Sequence, residues 1–186
     1  MSARQNKSNL ILLVVFMPFM LACLYVESMI QVPQPKMETN ADAVIKMLNS
    51  KGWAPLQSFA SETYTEEEYS KPGTLKFTGS VTNDKPVFFS YGWCAKDEAT
   101  LKQNFEHINV LLYYNGVKLG SDVVHSFSYS SANGQACLES GVLMSDWPAG
   151  EYHLKAVAVF DEKINDGISD YAPGDYIYEY DVKADK

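Results

Sequence analysis

The densest group of oxygen ligands in this sequence lies in the acidic segment 161–175. Calcium takes several oxygen ligands, and flexible loops rich in carboxylates supply them. The spacing of these acids does not match an EF-hand loop, and acidic loops are commonly solvated turns. Two readings therefore stay open, a soluble turn or a calcium site. The candidate calcium ligands are Asp161, Glu162, Asp166 and Asp170. The sequence indicates no other cofactor.

Two aromatic residues stand in segments that echo each other, 146–152 and 170–176. Each segment contains an acid, an aromatic residue, a proline near a glycine, a second acid and a tyrosine. Proline fixes φ and glycine supplies backbone angles that other residues avoid, so each segment predicts a tight entry into a strand. The aromatic residues, Trp147 and Tyr171, are candidate contacts for a sugar or a protein partner. The alternative is that they pack against the end of the domain.

The three histidines, His107, His125 and His153, each stand alone on a predicted strand. A hydrolase would require His125 or His153 to meet an acid and a nucleophile in a cleft. The sequence contains no H-E-x-x-H, G-x-S-x-G or C-x-x-C motif, and no glycine loop of the kind that cradles phosphate. We therefore predict no catalytic residues, and an envelope hydrolase is the least supported alternative.

Three cysteines are present, at positions 23, 94 and 137. Cys94 and Cys137 form an even pair, and disulfides persist in oxidising compartments. Closing the loop between them would constrain the unfolded chain by roughly 4 kcal/mol. Two unrelated buried thiols or a metal site are the alternatives, but two distant cysteines without clustered partners make a poor zinc signature. We predict a Cys94–Cys137 disulfide.

The first thirty residues have the pattern of an export signal. Arg4 and Lys7 precede an unbroken apolar run over residues 10–26, which Glu27 closes. A basic start followed by an apolar stretch is typical of such signals. The segment also predicts a membrane contact at the N-terminus.

Within this run, Met20-Leu21-Ala22-Cys23 resembles the lipobox of bacterial lipoproteins, in which a small residue precedes a cysteine that becomes lipidated. Ala22 and Cys23 match that pattern, whereas Met20 and Leu21 depart from it. The resemblance implies that Cys23 is the lipid acceptor.

An uncleaved anchor and a plain secretory signal are the alternatives. As a helix, the run over 10–26 would span about 25 Å, against a hydrocarbon core of about 30 Å, and Pro18 interrupts it. All three readings place the residues after about 27 outside the cytoplasm. The predicted location is therefore the extracytoplasmic face of the bacterial cell envelope.

The charge balance argues against a nucleic-acid partner. Without Arg4 and Lys7, the remaining 13 basic and 23 acidic residues carry a net charge of −10. Arg4 is also the only arginine, and arginine is the usual side chain for gripping phosphate. A net-negative surface repels a polyanion.

The chain divides into three predicted segments: a signal or anchor helix over 1–26, a tether over 27–73 and a β domain over 74–186. The tether contains a short helix, which Thr39-Asn40-Ala41-Asp42 opens as a capping box and Gly52 ends. The rest of the tether, with its acidic run at 66–68, is predicted to be a solvated linker with some contacts to the domain.

From residue 75 onward, apolar residues recur at every second position, which predicts strands. Asn115-Gly116 and Asn133-Gly134 are turn signals between them. Leu101 and Phe105, four residues apart, predict a short helical segment that connects two strands. The seven predicted strands begin near Leu75, Val87, Ile108, Val123, Ala136, Tyr152 and Tyr176.

Seven short alternating strands, Trp93 beside Cys94, and two Gly-acid-Tyr strand entries together resemble the immunoglobulin-like and fibronectin-like domains of bacterial surface proteins. The resemblance covers roughly residues 75–182 and implies an all-β, antiparallel β-sandwich of about seven strands. The sequence departs from that pattern in its short cysteine spacing, in the position of Trp93, and in having no tyrosine two residues before Cys137. The resemblance therefore transfers no functional residues.

These observations predict a non-catalytic, envelope-anchored module that binds an unknown protein or glycan, or that has a structural role beside an envelope complex. A calcium-dependent surface binding domain is the first alternative.

Overall fold

The computed structural model describes residues 33–50 and 52–185. Strands hold 49% of these described residues and helices 16%, so this part of the chain is mostly β, which is compatible with the predicted all-β class. The strands are β1 (Lys36–Met37), β2 (Ala54–Pro55), β3 (Gly73–Val81), β4 (Val87–Ala95), β5 (Ile108–Tyr114), β6 (Val117–Lys118), β7 (His125–Ser130), β8 (Ala136–Ser145), β9 (Gly150–Phe160), β10 (Ile164–Asn165), β11 (Asp170–Tyr171) and β12 (Gly174–Ala184). The helices are α1 (Ala41–Leu48), α2 (Glu66–Tyr69) and α3 (Glu98–Phe105), and a 3-10 helix covers Leu56–Phe59.

The strands form two main sheets. Sheet A has the order β1-β8-β4-β2, and β7 also pairs with β8. Sheet B has the order β3-β12-β9-β5-β6, and β10 and β11 form a separate small hairpin. All seven segments in which period-two alternation predicts strands are strands, namely β3, β4, β5, β7, β8, β9 and β12.

The prediction of a wholly antiparallel arrangement was wrong at two places. β3 pairs with β12 in parallel, with Phe77 opposite Tyr180, and β2 pairs with β4 in parallel. Parallel neighbours cannot be joined by a tight hairpin and need a crossover connection. The first and last long strands meet this condition, because the rest of the domain lies between them in the chain.

The main core lies between the two sheets. Phe89 on sheet A and Tyr180 on sheet B approach with ring centroids 6.0 Å apart. Burying each large apolar side chain stabilises the fold by roughly 1.5–3 kcal/mol. The buried residues of this core include Phe77, Val81, Phe89, Met144, Trp147, Leu154, Phe160, Tyr176 and Tyr180.

A second, smaller core lies on the opposite face of sheet A, under helix α1. Val44 of the helix is buried there with Phe88 and Leu143, and Trp53 packs edge-on against the Phe88 ring. A side chain at Gly141 would collide with the Phe88 ring and with the backbone oxygen of Phe89, so this position requires glycine. The helix was correctly predicted.

The N-cap of α1 differs from the predicted capping box. Asn40 is the N-cap, and its side-chain oxygen accepts a hydrogen bond of 3.0 Å from the amide of Ala43. Asparagine is among the best N-cap residues because its short side chain reaches the free amides of the first turn. Thr39 therefore does not cap this helix.

Two segments of the predicted tether over 27–73 are strands of sheet A, Lys36–Met37 and Ala54–Pro55, and residues 35–186 form one compact unit. β1 pairs with β8 and β2 pairs with β4. The acidic run forms α2, which a capping box between Thr65 and Glu68 opens. Tyr69 from this helix stacks on Tyr178 of β12, with centroids 6.2 Å apart.

Helix α3 is the predicted helical connection. It leads from β4 in sheet A to β5 in sheet B, with Asp97 as N-cap and Leu101 buried. The predicted signal or anchor helix over 1–26, including Cys23, lies outside the described residues. Within 33–50 and 52–185, no helix has the length and apolar character needed to span a membrane.

Candidate functional site

The predicted disulfide is present. Cys94 of β4 and Cys137 of β8 are direct partners in the antiparallel register of sheet A, with an S–S bond of 2.03 Å. The bond therefore joins two neighbouring strands of one sheet, whereas the immunoglobulin bridge joins two sheets. It fixes β8 against β4, and β8 in turn carries β7.

β7 is an edge strand, because in the described part of the chain it pairs with β8 alone. The hairpin that leads into β8 is closed by a hydrogen bond of 2.9 Å from the Ser131 amide to the Gln135 carbonyl. Hydrogen-bonded and non-hydrogen-bonded pairs alternate along an antiparallel ladder. Phe127 and Tyr129 consequently bond to β8, whereas the N–H and C=O groups of Ser126, Ser128 and Ser130 point away from the sheet.

The hydrogen bonding of β1 supports this register independently. The amide of Glu38 donates to the carbonyl of Leu143 over 3.0 Å, on the same side of β8 as β7. Odd-numbered residues of β8 therefore present their backbone groups to that side. Cys137, the partner of Tyr129, follows the same rule.

Natural proteins protect open sheet edges with lysine, proline, bulges or inward charges. β7 has none of these residues: its sequence is His-Ser-Phe-Ser-Tyr-Ser. Ser128, Tyr129 and Ser130 are exposed. An exposed, alternating and uncharged edge of this kind is a template for a further strand.

One groove borders β7 on the face of sheet A that carries α1. It has a volume of about 660 Å³. Ile45 and Tyr129 are two of the four exposed large apolar residues among the described ones, at 45% and 44% exposure. The Phe127 ring forms the floor, between Phe88 and Tyr129. The residues of this α1-side groove are Ile45, Leu48, Asn49, Trp53, Ser126, Phe127, Ser128, Tyr129 and Glu139.

A second groove borders β7 on the side of helix α3 and has a volume of about 710 Å³. Leu101 and Phe105 supply its apolar wall. Glu98 and Lys102 stand on the helix beside them, and Glu106 directly follows its last residue. We name this the α3-side groove. The open edge of β7 thus lies between two grooves, one on each face.

The charge of the two grooves is negative. The residues that line the two grooves include three carboxylates and one ammonium group. The carboxylates are those of Glu98, Glu106 and Glu139, and the ammonium is that of Lys102. Glu139 accepts a hydrogen bond of 2.5 Å from the Ser90 hydroxyl, which holds its carboxylate beside the floor of the α1-side groove. Burial, and secondarily the charge of Glu139, raises the pKa of Tyr129, so this phenol stays neutral at physiological pH.

Trp147, a candidate ligand contact, does not lie at the surface. Its side chain is buried at 2% exposure and packs edge-on against Tyr152, with centroids 5.2 Å apart. This position corrects the prediction of a surface aromatic and matches the alternative of packing against the end of the domain. Tyr171 is partly buried and packs against Trp93, with centroids 4.5 Å apart.

The two similar aromatic segments, 146–152 and 170–176, share a hydrogen bond made by their last tyrosine. The hydroxyl of Tyr152 donates to the carbonyl of Pro148 over 2.6 Å, and that of Tyr176 donates to the carbonyl of Ala172 over 2.9 Å. Each tyrosine therefore ties the start of its strand to the residue four positions earlier. β9 and β12 are antiparallel, with Gly150 opposite Ala184 and Phe160 opposite Gly174. Trp147, which precedes β9, and Tyr171, which precedes β12, therefore lie at opposite ends of β9.

The four candidate calcium ligands do not converge on one point. Asp161 and Glu162 both contact the His107 ring, at 2.9 and 3.3 Å. Asp170 pairs with Lys163 at 2.8 Å, and hydrogen bonds from Asn165 and then Lys163 lower its pKa. Within the residues that the structure describes, no three carboxylate, histidine or cysteine side chains are grouped closely enough to hold a metal ion.

The fourth candidate calcium ligand, Asp166, is buried and forms hydrogen bonds that shape a turn. Its Oδ1 accepts hydrogen bonds of 2.7 Å from the amides of Ile168 and Ser169, and Tyr171 donates to Oδ2 over 3.1 Å. Its lone pairs are thereby used within the hairpin of β10 and β11. The acidic segment is therefore a structured turn.

Two histidines meet a carboxylate but no nucleophile. His153 Nδ1 lies 2.8 Å from Asp181 and His107 Nδ1 lies 2.9 Å from Asp161. Among the described residues, no serine, threonine or cysteine side chain hydrogen-bonds to any of the three histidines, and Nε2 of His125 has no partner. The contacts with an acid and a nucleophile that the hydrolase alternative requires of His125 or His153 are therefore not found among the described residues.

Sequence reasoning predicted the β7 strand but did not predict its open edge. The alternation of serine with aromatic residues over 125–130 was visible and correctly predicted a strand. Nothing in the sequence says which strands of a sheet lie at its edge, because that depends on long-range pairing. An uncharged strand without proline was the available signal.

No protein family matches the chain, and no curated protein matches it. Among solved structures, the chain is similar to PbICP-C, solved in complex with falcipain-2, at 10% identity over 72% of this chain and 98% of that chain, with a TM-score of 0.35. It is also similar to the cysteine protease inhibitor EhICP2 of Entamoeba histolytica, at 10% identity over 72% of this chain and 100% of that chain, with a TM-score of 0.27. Family membership does not follow from these values.

Proposed function

We propose that this protein is a non-catalytic module of the bacterial cell envelope that binds a polypeptide partner at β7 and its two flanking grooves. One observation carries the proposal: the edge of β7 is open and uncharged, and an apolar wall borders it on each face. Exposed apolar patches with a polar rim mark interaction sites in soluble domains.

A polypeptide suits this surface better than a glycan. The edge offers alternating backbone donors and acceptors, which another backbone matches in spacing. A glycan would require exposed aromatic platforms, and the side chain of Trp147 is buried in the core. Within the α1-side groove, Tyr129 is the exposed ring, and it is already stacked on Phe127.

Export to the envelope is supported by the basic and apolar start of the chain and by the disulfide. A Cys94–Cys137 bond is stable in an oxidising compartment and is rare in the reducing cytosol. Cys23, in its lipobox-like context, is the proposed lipid acceptor, and the membrane is then a partner of the N-terminus.

Labelling with a radioactive fatty acid tests the lipid anchor. We expect label on the wild-type protein and none on Cys23→Ala, because the thiol of Cys23 accepts the lipid. Equal labelling of the two proteins would contradict the proposed lipidation. Detection of the unlabelled variant in the membrane fraction would favour an uncleaved anchor instead.

We also propose that the two sheets form an immunoglobulin-like sandwich. Seven long strands around the main core support it, as does the hydrogen bond from the Tyr176 hydroxyl to an upstream carbonyl, which resembles a tyrosine corner. The parallel β3–β12 pair is a variation at the edge of sheet B.

Site-specific photo-crosslinking tests the binding surface. A photoreactive phenylalanine analogue at position 129, in the bacterium that encodes the protein, is expected to crosslink to a polypeptide. The matched control is position 117, which is 68% exposed and lies at the start of β6 in sheet B. Equal crosslinking at positions 129 and 117, or none at 129, would contradict the proposed surface.

A further inference from the structure

We infer that the partner binds by adding a β-strand to β7, and that this strand belongs to another protein, carries apolar side chains and has a net positive charge. This inference rests on the proposed binding surface and specifies the chemistry of its occupant. The edge geometry, the two grooves and the local charge each support one part of it.

The edge geometry selects an extended backbone. Ser126, Ser128 and Ser130 each direct one N–H and one C=O away from β8, because their neighbours Phe127 and Tyr129 use theirs in the sheet. These six groups repeat along the edge at the spacing of a strand. In strand addition, such main-chain hydrogen bonds supply the affinity.

The grooves select the side chains. Successive side chains of an added strand point to opposite faces of the sheet. One set would enter the α1-side groove, where Ile45, Leu48 and Trp53 form the wall. The other set would enter the α3-side groove beside Leu101 and Phe105. Both sets therefore find apolar surface, which an isolated edge strand does not provide.

Charge selects a foreign partner over a second copy of this chain. The two grooves carry three carboxylates and one ammonium, and the chain without Arg4 and Lys7 carries −10. Two such copies would repel each other at a paired edge, whereas lysine or arginine on the partner would face Glu139, Glu98 or Glu106.

A displayed library of random twelve-residue peptides, selected on the full-length protein, supplies the probe. We expect the selected peptides to alternate apolar residues and to carry lysine or arginine. Ser128→Pro removes the outward N–H and places a ring in the path of an added strand, so we expect it to weaken binding of the selected peptides at least tenfold. Proline is tolerated at an edge position whose N–H faces solvent, so the fold should persist.

Ser128→Ala keeps the backbone N–H, so we expect it to weaken binding less than Ser128→Pro does. Val117→Ala, on β6 of sheet B and outside both grooves, is the control for which we expect unchanged affinity. Circular dichroism melting of the three variants shows whether the fold is intact. If Ser128→Pro does not fold, Ser128→Lys replaces it, since a lysine on the edge repels a basic strand and is a natural edge protector.

The outcomes separate this inference from the proposed function. Peptides whose affinity falls with Tyr129→Ala and is unaffected at position 128 would overturn strand addition and leave the binding surface standing. Peptides insensitive to both changes, or an absence of binders, would reject both proposals. A wild-type dimer in sedimentation that Ser128→Pro dissociates would identify a second copy as the occupant and overturn the foreign partner.

Discussion

We expect this protein to unfold as the pH is raised from 10 to about 12. The reason is its tyrosine-rich core, whose phenols must remain protonated to stay buried. Burial in a low-dielectric environment disfavours the charged form of an ionisable group. The loss of stability should exceed that caused by replacing any one of these tyrosines.

The phenols of the core have raised pKa values. Burial is the main cause in each case; it raises the pKa of Tyr114 to about 12 and, with the nearby carboxylate of Asp166, that of Tyr171 to about 12. Burial raises the pKa of Tyr91 well above the ordinary value, and neighbouring tyrosines contribute. The same direction holds for Tyr152, Tyr176, Tyr178 and Tyr180.

Linkage sets the sign of the effect. In the unfolded chain a tyrosine loses its proton near pH 10, whereas in the folded protein it keeps the proton to higher pH. The unfolded state therefore binds fewer protons above pH 10, and the free energy of unfolding falls as the pH rises. Stability from these groups is fully present below pH 10 and is lost between pH 10 and the folded pKa values.

The magnitude is large because the effects accumulate. One tyrosine costs about 1.4 kcal/mol for each pH unit between its two pKa values. Three buried tyrosines have a strongly raised pKa, so the slope approaches about 4 kcal/mol per unit, against a typical total stability of about 5–15 kcal/mol. These three are Tyr91, Tyr114 and Tyr180.

Urea unfolding midpoints between pH 8 and pH 12, with tyrosinate absorbance recorded in parallel, measure this loss. Tyr114→Phe is a suitable control variant, because the Tyr114 hydroxyl is buried with no hydrogen-bond partner among the described residues. We expect this variant to show a slope shallower by about 1.4 kcal/mol per pH unit. Ionisation of all twelve tyrosines near pH 10 while the far-ultraviolet circular dichroism stays native would contradict the account.

The seven long strands could be predicted because their alternation is local. In β9, Tyr152, Leu154 and Ala156 face the core while Glu151, His153 and Lys155 face outward, and this pattern is legible without knowledge of the pairing. The disulfide was predictable for a different reason, since two cysteines remain once Cys23 is assigned to the signal. Neither inference required the topology.

The parallel pairing of β3 with β12 was not predictable from the sequence. Alternation is the same in parallel and antiparallel strands, and Phe77 meets Tyr180 only because strands about 100 residues apart in the chain become neighbours. β1 and β2 were missed because two residues carry no period. Their segment was consequently assigned to a tether.

The functional residues chosen from the sequence also depended on long-range structure that the sequence does not reveal. The acids of 161–175 and Trp147 were chosen for their residue types, but the structure uses Asp166 to build a turn and Trp147 to fill the core. The role of β7 as an open edge was not predicted, because the serine side chain carries no distinctive chemistry. Its role arises from the direction of its backbone groups, which only the register of β8 determines.

The hydrogen exchange of β7 should therefore alternate from residue to residue. The amides of Phe127 and Tyr129 donate to β8 and should exchange only when the sheet opens, whereas those of Ser126, Ser128 and Ser130 face solvent. Exchange of hydrogen-bonded amides requires local or global opening, so the two groups should differ by about a hundredfold or more.

Amide exchange measured by nuclear magnetic resonance on the wild-type protein, residue by residue over 125–130, is the most direct test of an open binding edge. We predict near-intrinsic rates at the three serines and strong protection at Phe127 and Tyr129. Uniform protection across all six residues, or protection at the serines alone, would contradict the open edge on which the proposed function rests.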